Sequence, residues 1–535
     1  MFDGNLLWKP LISLDMEQKY YCNRPYSTYR GLPNDLYTAL VNSAQRNMEK
    51  VCIVDSDDSQ ITYGEFLARV DQLASFLREN EYVKYGDHVA LMMYNSAAFC
   101  ISFLALIKLG AVTLPLPSKF RQQEVLSLID KAEPTCILCD ADFAPWMSEL
   151  KERSIHVLVT GKKKENDGLE CILTDYHTKD FFCMAKAEDP AVLMFTSGTT
   201  SMSKGVVLSN FNIMHAVASY QITLDLTPED STVIAVPIYH VTGMIALLGL
   251  FLYVGASIWI QKKFNAEQVL MCVKENHLTF IHASPTVFSL LLQEAGKYPS
   301  LPSLRAFACG SSNMPKEKIR ALHQWLPHTA FRTVYGLTET SSPATIFPCD
   351  AATSEHIGSS GIPIPGTVFR IIDESGNELP VNQIGEVQIK GSVVLREYYR
   401  LQTTALSDDG WLSTGDLGYF TPDGYLFLTD RKKDMINRGG EKICSYDVEN
   451  ELYKLYGIDE AAVVGIQNEL YGEVAAAVVK CASGVSMTAE DIQKSLHDRL
   501  AKYKIPVKIC FVDEIPTTPN GKINKKLIRE MLQTE

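Results

Sequence analysis

The prediction of the fold begins with the stretch Phe195-Thr196-Ser197-Gly198-Thr199-Thr200-Ser201-Met202-Ser203-Lys204-Gly205. An apolar run, Ala191 to Phe195, leads into it and predicts a buried strand. In the loop that follows, glycines let backbone N–H groups approach phosphate oxygens closely. Hydroxyl groups add donors, and the lysine supplies positive charge. The stretch therefore predicts a phosphate-binding loop after a strand, with a polar turn between two strands as the alternative.

This loop differs from a Walker A loop in one respect. A Walker A loop continues after its first glycine and four residues with Gly-Lys-Ser/Thr, whereas Ser203-Lys204-Gly205 stands there in this chain. The hydroxyl that would hold magnesium after the lysine is missing. A metal ligand must therefore come from another part of the sequence.

Length and charge restrict the class of protein. A chain of 535 residues predicts more than one domain. The formal net charge of −13 disfavours nonspecific binding to nucleic acid or to anionic lipid, so we expect no nucleic-acid partner. An anionic ligand must be bound by local donors.

Cysteine usage and the N-terminus favour a cytoplasmic location. Thirteen cysteines spread over this length do not resemble a disulfide scaffold, and Met1-Phe2-Asp3-Gly4 lacks the basic and apolar segments of a signal peptide. Cys136 and Cys139 have CxxC spacing, but they lie in an apolar strand pattern, which favours two buried thiols. The longest apolar run, residues 244–260, is interrupted by glycines and predicts a buried helix, a turn at Gly255 and a strand. We therefore expect no integral membrane segment.

The pattern of secondary structure that the sequence predicts changes along the chain. Apolar helical runs alternate with short β-rich runs over about the first four hundred residues, which indicates parallel sheets covered by helices. After about Gly358, short strands separated by turns indicate a small antiparallel sheet or barrel. The charged segment 430–434 is a candidate hinge, and a compact α+β unit of about a hundred residues follows it.

Further motifs follow the loop in a fixed order. They are Pro237-Ile238-Tyr239-His240, Tyr335-Gly336-Leu337-Thr338-Glu339, Ser413-Thr414-Gly415-Asp416, Asp430-Arg431 leading to Arg438-Gly439-Gly440-Glu441-Lys442, and Pro516-Thr517-Thr518-Pro519-Asn520-Gly521-Lys522. With the loop, this set resembles the adenylate-forming (AMP-binding) superfamily, in its acyl-CoA synthetase branch. The resemblance extends from Ile61-Thr62-Tyr63 to Lys522.

The resemblance implies an α/β fold and two domains. We expect a large N-terminal domain, residues 1–430, of two helix-covered mixed sheets and a small β-barrel-like subdomain. A smaller, mobile α+β C-terminal domain, residues 431–535, would act as a lid that carries the catalytic lysine.

The resemblance also implies an enzyme that activates a carboxylic acid with ATP and Mg²⁺ and releases pyrophosphate. Two anions must meet, so charge neutralisation and alignment dominate the catalysis. Glu339 would bind magnesium, with a helix-capping role as the alternative. Tyr335 would stack on adenine, and Asp416, assisted by Arg431, would accept hydrogen bonds from the ribose hydroxyls. The full nucleotide set comprises Thr196, Ser197, Gly198, Thr199, Thr200, Lys204, Gly310, Ser311, Tyr335, Gly336, Thr338, Asp416, Arg431 and Lys522.

The catalytic set implied by the resemblance is Lys522, Thr196, Glu339 and His240. Lys522 would reach across the domain interface and bridge the substrate carboxylate and the α-phosphate. A lysine near the C-terminus is ordinarily a solvated charge. His240 would line the acyl pocket beside the carboxylate, and we assign it no proton transfer. A lone histidine among apolar residues is ordinarily a core residue.

In the second step of the family, a thiol attacks the acyl-adenylate after the C-terminal domain swings about the residue that matches Lys433. The residues implied at the thiol tunnel are Lys433, Gly439, Gly440 and Lys442. Both lysines have a solvated surface role as the alternative. No carrier domain follows Lys522 in this sequence, which favours free coenzyme A. A separate carrier protein is the alternative acceptor, and the sequence leaves the oligomeric state open.

The acyl pocket implied by the resemblance is small and apolar. It comprises His240, Val241, Thr242, Gly243, Cys309 and Ile362. Malonate-activating relatives have an arginine where Leu290 stands, and no residue matches the aspartate that binds an α-amine. We therefore expect an apolar monocarboxylate, aromatic or medium-chain. Ser201 and Ser203 depart from the usual glycine and proline of the loop, which predicts altered loop dynamics without loss of function.

Overall fold

The fold is described from a computed structural model of the chain. It describes residues 1–21, 24–153, 155–160, 181–196, 204–482, 484–518 and 522–534, together with 169, 172, 173, 176, 178 and 179. Both sheets expected in the N-terminal part of the chain are present, and both are mixed, with most of their strands parallel.

The first sheet has seven strands and carries the predicted loop. Its order is Glu397–Tyr398, Lys204–Ser209, Pro190–Thr196, Val112–Pro115, His88–Met92, Cys136–Cys139 and His156–Val159. The strands from Pro190–Thr196 onward run parallel, and the first two are antiparallel to their neighbours. The four residues of Cys136–Cys139 are buried, and this confirms that the CxxC pair lies within a strand.

The second sheet has nine strands. Its order is Ile362–Pro363, Thr345–Ile346, Ala330–Tyr335, Ala306–Cys309, Phe280–Ala283, Ser231–Ile234, Ser257–Ile260, Val51–Val54 and Gln60–Thr62. The six strands from Ala330–Tyr335 to Val51–Val54 are parallel. Since ligands of parallel sheets bind beyond the carboxyl ends of the strands, Tyr335 and Gly310 lie where a site is expected.

Helices cover these sheets, as the sequence pattern predicts. The main ones are Leu36–Arg46, Tyr63–Glu79, Ala97–Lys108, Gln122–Ala132, Asn210–Leu224, Ala266–Asn276, Pro285–Gln293 and Lys316–Trp325. Ser96 caps Ala97–Lys108 by accepting a hydrogen bond from the Phe99 N–H, because the first N–H groups of a helix lack internal partners. The helix is apolar on every side and all but one of its twelve residues are buried, so it belongs to the core between the sheets.

The apolar run that begins at Met244 folds as the sequence predicts, with one addition. A helix forms, Gly255 ends it with a left-handed φ of +88°, and the strand Ser257–Ile260 follows. The first part, Met244–Gly249, is a π-helix, which the sequence pattern does not reveal. Among the described residues, none lies in a helix both long enough and apolar enough to cross a bilayer.

The antiparallel sheet expected after Gly358 has five strands. Its order is Phe2–Asp3, Thr367–Ile372, Gly385–Gly391, Leu412–Phe420 and Leu426–Arg431. The last two strands pair Asp416 with Arg431, and so two predicted site residues are neighbours in register.

The last hundred residues form the expected α+β unit. Its sheet contains Glu441–Ile443, Ile436–Arg438, Gly472–Cys481, Ile458–Asn468 and Lys508–Phe511, and its helices are Ser445–Tyr453, Ala489–His497 and Lys525–Thr534. The mixed α/β fold is confirmed, and the boundary at residue 430 stays a prediction.

Candidate active site

Thr196 and Lys204 stand at the two ends of the predicted phosphate loop. They are paired residues of antiparallel strands, and the Thr196 hydroxyl donates to the Lys204 carbonyl at 3.5 Å. The Lys204 ammonium lies 5.4 Å from the ring centre of Tyr398. The predicted residues Ser197, Gly198, Thr199 and Thr200 fall outside the described residues, so their phosphate-binding role stays a prediction.

Glu339 has a positioning partner that the sequence analysis missed. The Tyr398 hydroxyl donates to Glu339 Oε1 at 3.1 Å, and the Leu395 N–H donates to the Glu339 carbonyl at 2.8 Å. Burial, together with the Glu339 carboxylate, raises the pKa of Tyr398, so its hydroxyl remains a donor at neutral pH. Tyr398 therefore touches the Glu339 carboxylate and the Lys204 ammonium together.

Tyr335 and Arg431 hold Asp416 from two sides. The Tyr335 hydroxyl donates to Asp416 Oδ2 at 2.8 Å, and Arg431 Nε lies 3.1 Å from Oδ1. Asp416 is only 5% exposed. Because a buried carboxylate is costly to desolvate, these two partners stabilise its charged form. An ionised carboxylate accepts about four hydrogen bonds, so acceptor capacity remains for two ribose hydroxyls. The roles of Tyr335 at adenine and Asp416 at ribose stay predictions.

Lys522 lies among these charged groups although it is far from them in sequence. Thr518 and Lys522 close a hairpin, in which the Thr518 N–H donates to the Lys522 carbonyl at 2.7 Å. Residue 522 is open to solvent, while protein surrounds its ammonium group on many sides. This desolvation lowers the pKa of Lys522 to about 8. The positive charges of Arg431 and Lys433 also lower this pKa, whereas the carboxylates of Asp416 and Glu339 raise it. The structure thus gathers Lys522, Glu339, Asp416 and Arg431.

Two glycines of the nucleotide set, Gly336 and Gly310, lie against backbone carbonyl groups that leave little room for a side chain. A Cβ on Gly336 would lie 1.6 Å from the Ser342 carbonyl oxygen, and one on Gly310 would lie 3.2 Å from the Val334 carbonyl oxygen. Ser311 has a φ of +73°, a strained value for a residue with a side chain. Thr338 begins the short 3₁₀ helix Thr338–Thr340, which carries Glu339.

The predicted acyl-pocket residues differ in burial. Val241 and Thr242 are half-buried, and a Cβ on Gly243 would lie 2.5 Å from the Pro237 carbonyl oxygen. His240 is half-buried, packs against Tyr239 with ring centres 4.9 Å apart, and precedes the segment that becomes the π-helix. Ile362 is 3% exposed. π-Helical turns are frequent at functional sites.

Cys309 lies in a hydrophobic cluster beneath the second sheet. The cluster includes Phe288, Phe307 and Met314, and burial raises the pKa of the Cys309 thiol. The thiol is therefore a packing group in the described structure, and its contact with an acyl group stays a prediction.

Of the predicted thiol-tunnel residues, Lys433 acts on the charge of Lys522, whereas Gly439, Gly440 and Lys442 stand on a separate hairpin. Gly439 and Gly440 form the tip of a hairpin with φ of +60° and +96°, both exposed. The Lys442 ammonium lies 2.9 Å from Glu374 Oε1, in an exposed ion pair. Burial lowers the pKa of Lys433.

Magnesium binding can be judged from the donor set alone. The part of the chain that the structure describes contains no cluster of three or more His, Cys, Asp or Glu that could hold a metal. Mg²⁺ is commonly held by one or two carboxylates plus substrate phosphates and water. Glu339 offers one carboxylate oxygen beyond the one that Tyr398 contacts, so this residue fits Mg²⁺ delivered with a nucleotide.

Two family models match the chain. The model described as AMP-binding enzyme matches residues 40–399, and that described as AMP-binding enzyme C-terminal domain matches residues 447–522. Among curated relatives, the feruloyl-CoA synthase of Amycolatopsis sp is 31% identical over 88% of this chain and 93% of its own length. The 2-succinylbenzoate–CoA ligase of Bacillus cereus is 29% identical over 90% of this chain and 95% of its own length.

Solved structures agree with this relationship. The ATP-bound MatB from Rhodopseudomonas palustris has a TM-score of 0.86 at 28% identity, covering 94% of this chain and 99% of that chain. The o-succinylbenzoate CoA synthetase from Bacillus subtilis, in complex with the acyl-adenylate OSB-AMP, has a TM-score of 0.80 at 26% identity, covering 92% and 97%.

Proposed function

This chain belongs to the family of AMP-binding enzymes, and we propose that it joins an apolar monocarboxylic acid to the thiol of coenzyme A. The observation that carries the proposal is the convergence of Lys522, Glu339, Asp416 and Arg431 from distant parts of the sequence. These residues supply positive charge, a metal ligand and a ribose acceptor at one place.

The first step forms the acyl-adenylate. A carboxylate oxygen of the acid attacks the α-phosphorus of ATP, the new P–O bond forms, and the bond to the bridging oxygen breaks as pyrophosphate leaves. Lys522 offsets the negative charge of the two reactants as they meet, and Lys204 does the same at the leaving phosphates. Asp416 fixes the ribose, held in turn by Tyr335 and Arg431. Bound Mg²⁺, held by Glu339, would neutralise phosphate charge.

The second step forms the thioester. The sulfur of coenzyme A attacks the acyl carbon, the thiol proton passes to solvent, and AMP leaves with the electrons of the broken C–O bond. Gly439 and Gly440 would let the pantetheine chain approach the backbone closely. Their exposure at the tip of a hairpin supports a role in binding a ligand that arrives from solvent.

An apolar acid is supported by the residues assigned to the acyl pocket. Val241, Gly243 and Ile362 carry no charge, and the π-helix that follows, Met244–Gly249, is fully buried and apolar. A second carboxylate in the acid would need a charged partner to offset its desolvation. We therefore assign aromatic or medium-chain monocarboxylates.

Two further assignments accompany this proposal. The eleven cysteines that the structure describes are all free thiols, which supports a reducing cytoplasm. We divide the chain into an N-terminal domain, residues 1–430, and a C-terminal domain, residues 431–535, because the last strand of the antiparallel sheet, Leu426–Arg431, ends at this boundary and the α+β unit follows it.

A panel of carboxylic acids tests the proposal. Purified protein would be given ATP, Mg²⁺ and free coenzyme A with ferulate, benzoate, octanoate, malonate or succinylbenzoate, while AMP and thioester are measured. We expect the highest kcat/KM with one of the monocarboxylates. A preference for either dicarboxylate would overturn the acid class. Adenylation without thioester formation would indicate a carrier protein as acceptor.

A further inference from the structure

A cavity lies against the seven-stranded sheet, toward the end opposite the predicted phosphate loop. Its volume is about 230 Å³. It is lined by Tyr85, Gly86, His88, Gly110, Val112, Asp189, Pro190, Leu193, Val207, Glu397 and Tyr399. His88, Val112 and Pro190 are the first residues of their strands, whereas Thr196 ends the strand that Pro190 begins. The cavity therefore opens at the other end of these strands, although Glu397 and Tyr399 of its lining flank Tyr398, which contacts Glu339.

The polar groups of the cavity are mainly acceptors. Asp189 and Glu397 contribute carboxylates, and among the described residues that line the cavity none is a lysine or an arginine. His88 Nδ1 lies 2.6 Å from the Ala132 carbonyl oxygen, so Nδ1 carries a hydrogen and donates it to that carbonyl. The carboxylates of this lining suit a ligand with positive charge, which would share the cavity's surroundings with Lys186 and Arg400 over the rings of Tyr85 and Tyr399.

Both tyrosines of the cavity already attract cations. The Lys186 ammonium lies 5.9 Å from the Tyr85 ring centre, and the Arg400 guanidinium carbon lies 4.9 Å from that of Tyr399. The Tyr85 hydroxyl donates to Asp189 Oδ1 at 2.7 Å, which fixes the ring beside a carboxylate. Aromatic rings combined with carboxylates recognise ammonium groups by cation–π attraction and charge.

Two glycines keep the cavity open. Gly110 has a φ of +66°, and a Cβ there would lie 2.6 Å from Tyr85 Cδ2. The Gly86 N–H donates to the Gly110 carbonyl at 2.9 Å, which holds the two loop segments together beneath the ring. Glycine at position 110 therefore leaves room for the Tyr85 ring that lines the cavity.

We propose that this cavity binds a small organic cation, of the alkylammonium or quaternary ammonium class. An ammonium head beside Glu397 and Asp189 would meet the ring of Tyr399, and an alkyl body would contact Leu193 and Val207. The volume admits a ligand of several heavy atoms, which excludes a nucleotide or coenzyme A.

Choline is the probe, and 3,3-dimethylbutan-1-ol is its uncharged isostere. Binding to the full chain would be measured by calorimetry and by ligand-observed NMR at neutral pH. We expect saturable choline binding that saturating ATP does not displace, and much weaker binding of the alcohol. Equal binding of both compounds, displacement by ATP, or no saturable choline binding would each overturn the proposal.

Three variants locate the site. Glu397→Gln removes an exposed charge and should weaken choline binding up to about fivefold. Tyr399→Leu removes an aromatic face and should weaken binding by about three- to thirtyfold. Glu229→Gln, at an exposed carboxylate outside the cavity, should change nothing. Melting temperatures would show that the variants fold. Unchanged affinity in both cavity variants would place the cation elsewhere and overturn the assignment.

Discussion

Two hairpins of the C-terminal region have opposite surroundings. The lysine hairpin, whose described arms are Thr517–Thr518 and Lys522–Ile523, brings Lys522 among Arg431, Asp416 and Glu339. The glycine hairpin, residues 436–443, has an exposed tip with open space around Gly440. We propose that the described arrangement serves the adenylation step, because it brings Lys522, and not the glycine hairpin, to Asp416 and Glu339. We expect the thioester step to require a turn of this region, as the hinge assigned at Lys433 provides.

The largest expected effect comes from removing the lysine. Lys522→Ala should reduce carboxylate-dependent pyrophosphate exchange by about a hundredfold or more, because charge at the reacting centre is no longer offset. Thioester formation from supplied acyl-AMP should remain close to that of the unchanged chain. Lys526→Ala, an exposed lysine in the following helix, is the matched control. Equal loss of both steps would contradict the division of labour between the hairpins.

The reciprocal change is Gly440→Leu in the glycine hairpin. Pyrophosphate exchange should persist, while thioester formation falls by about tenfold or more, because a side chain occupies the backbone surface and the φ of +96° disfavours it. Gly484→Leu introduces similar strain at a φ of +79° with open surroundings, and it should spare both steps. Normal overall turnover in the Gly440 variant would remove the thiol assignment.

The pH profile sharpens the role of the lysine hairpin. The pKa of Lys522 is lowered to about 8, so its positive charge is complete well below that pH and is lost as pH rises through it. The kcat/KM of exchange reports the free enzyme and should fall about tenfold per pH unit above about 8. In Lys522→Arg, the guanidinium stays charged, so this fall should move upward beyond the measured range. If the fall in kcat/KM at alkaline pH is the same in Lys522→Arg, a group other than Lys522 causes it.

The sequence predicted the secondary-structure elements well and the contacts between distant side chains poorly. The strand before the loop and the helix after Ser96 follow from local apolar patterning and capping, which nearby residues determine. The Tyr398–Glu339 bond depends on a two-residue strand, Glu397–Tyr398, added at the edge of a sheet, and such a strand has no periodicity to detect. The π-helix Met244–Gly249 also cannot be read from the sequence, because an apolar run is compatible with an α-helix as well as with a π-helix.

A smaller effect is expected at the contact that holds the lysine hairpin's region in place. Lys318, in the helix Lys316–Trp325, lies 2.8 Å from Asp459 Oδ1, and Gln293 donates to Asp459 Oδ2 at 3.1 Å. Both charged side chains are 16% exposed, which makes this pair less screened than a surface ion pair. The contact joins the N-terminal sheets to the C-terminal region in the adenylation arrangement.

Lys318→Met should therefore lower pyrophosphate exchange by about two- to fivefold, the range that one partly exposed ion pair supports. Thioester formation from supplied acyl-AMP should be unchanged or faster, because the other arrangement becomes easier to reach. Arg320→Met changes the same helix at a residue that pairs with Glu317, and it should leave the ratio of the two rates unchanged. If Lys318→Met lowers both rates equally, the Lys318–Asp459 contact stabilises the fold only, and it does not favour the adenylation arrangement over the thioester arrangement.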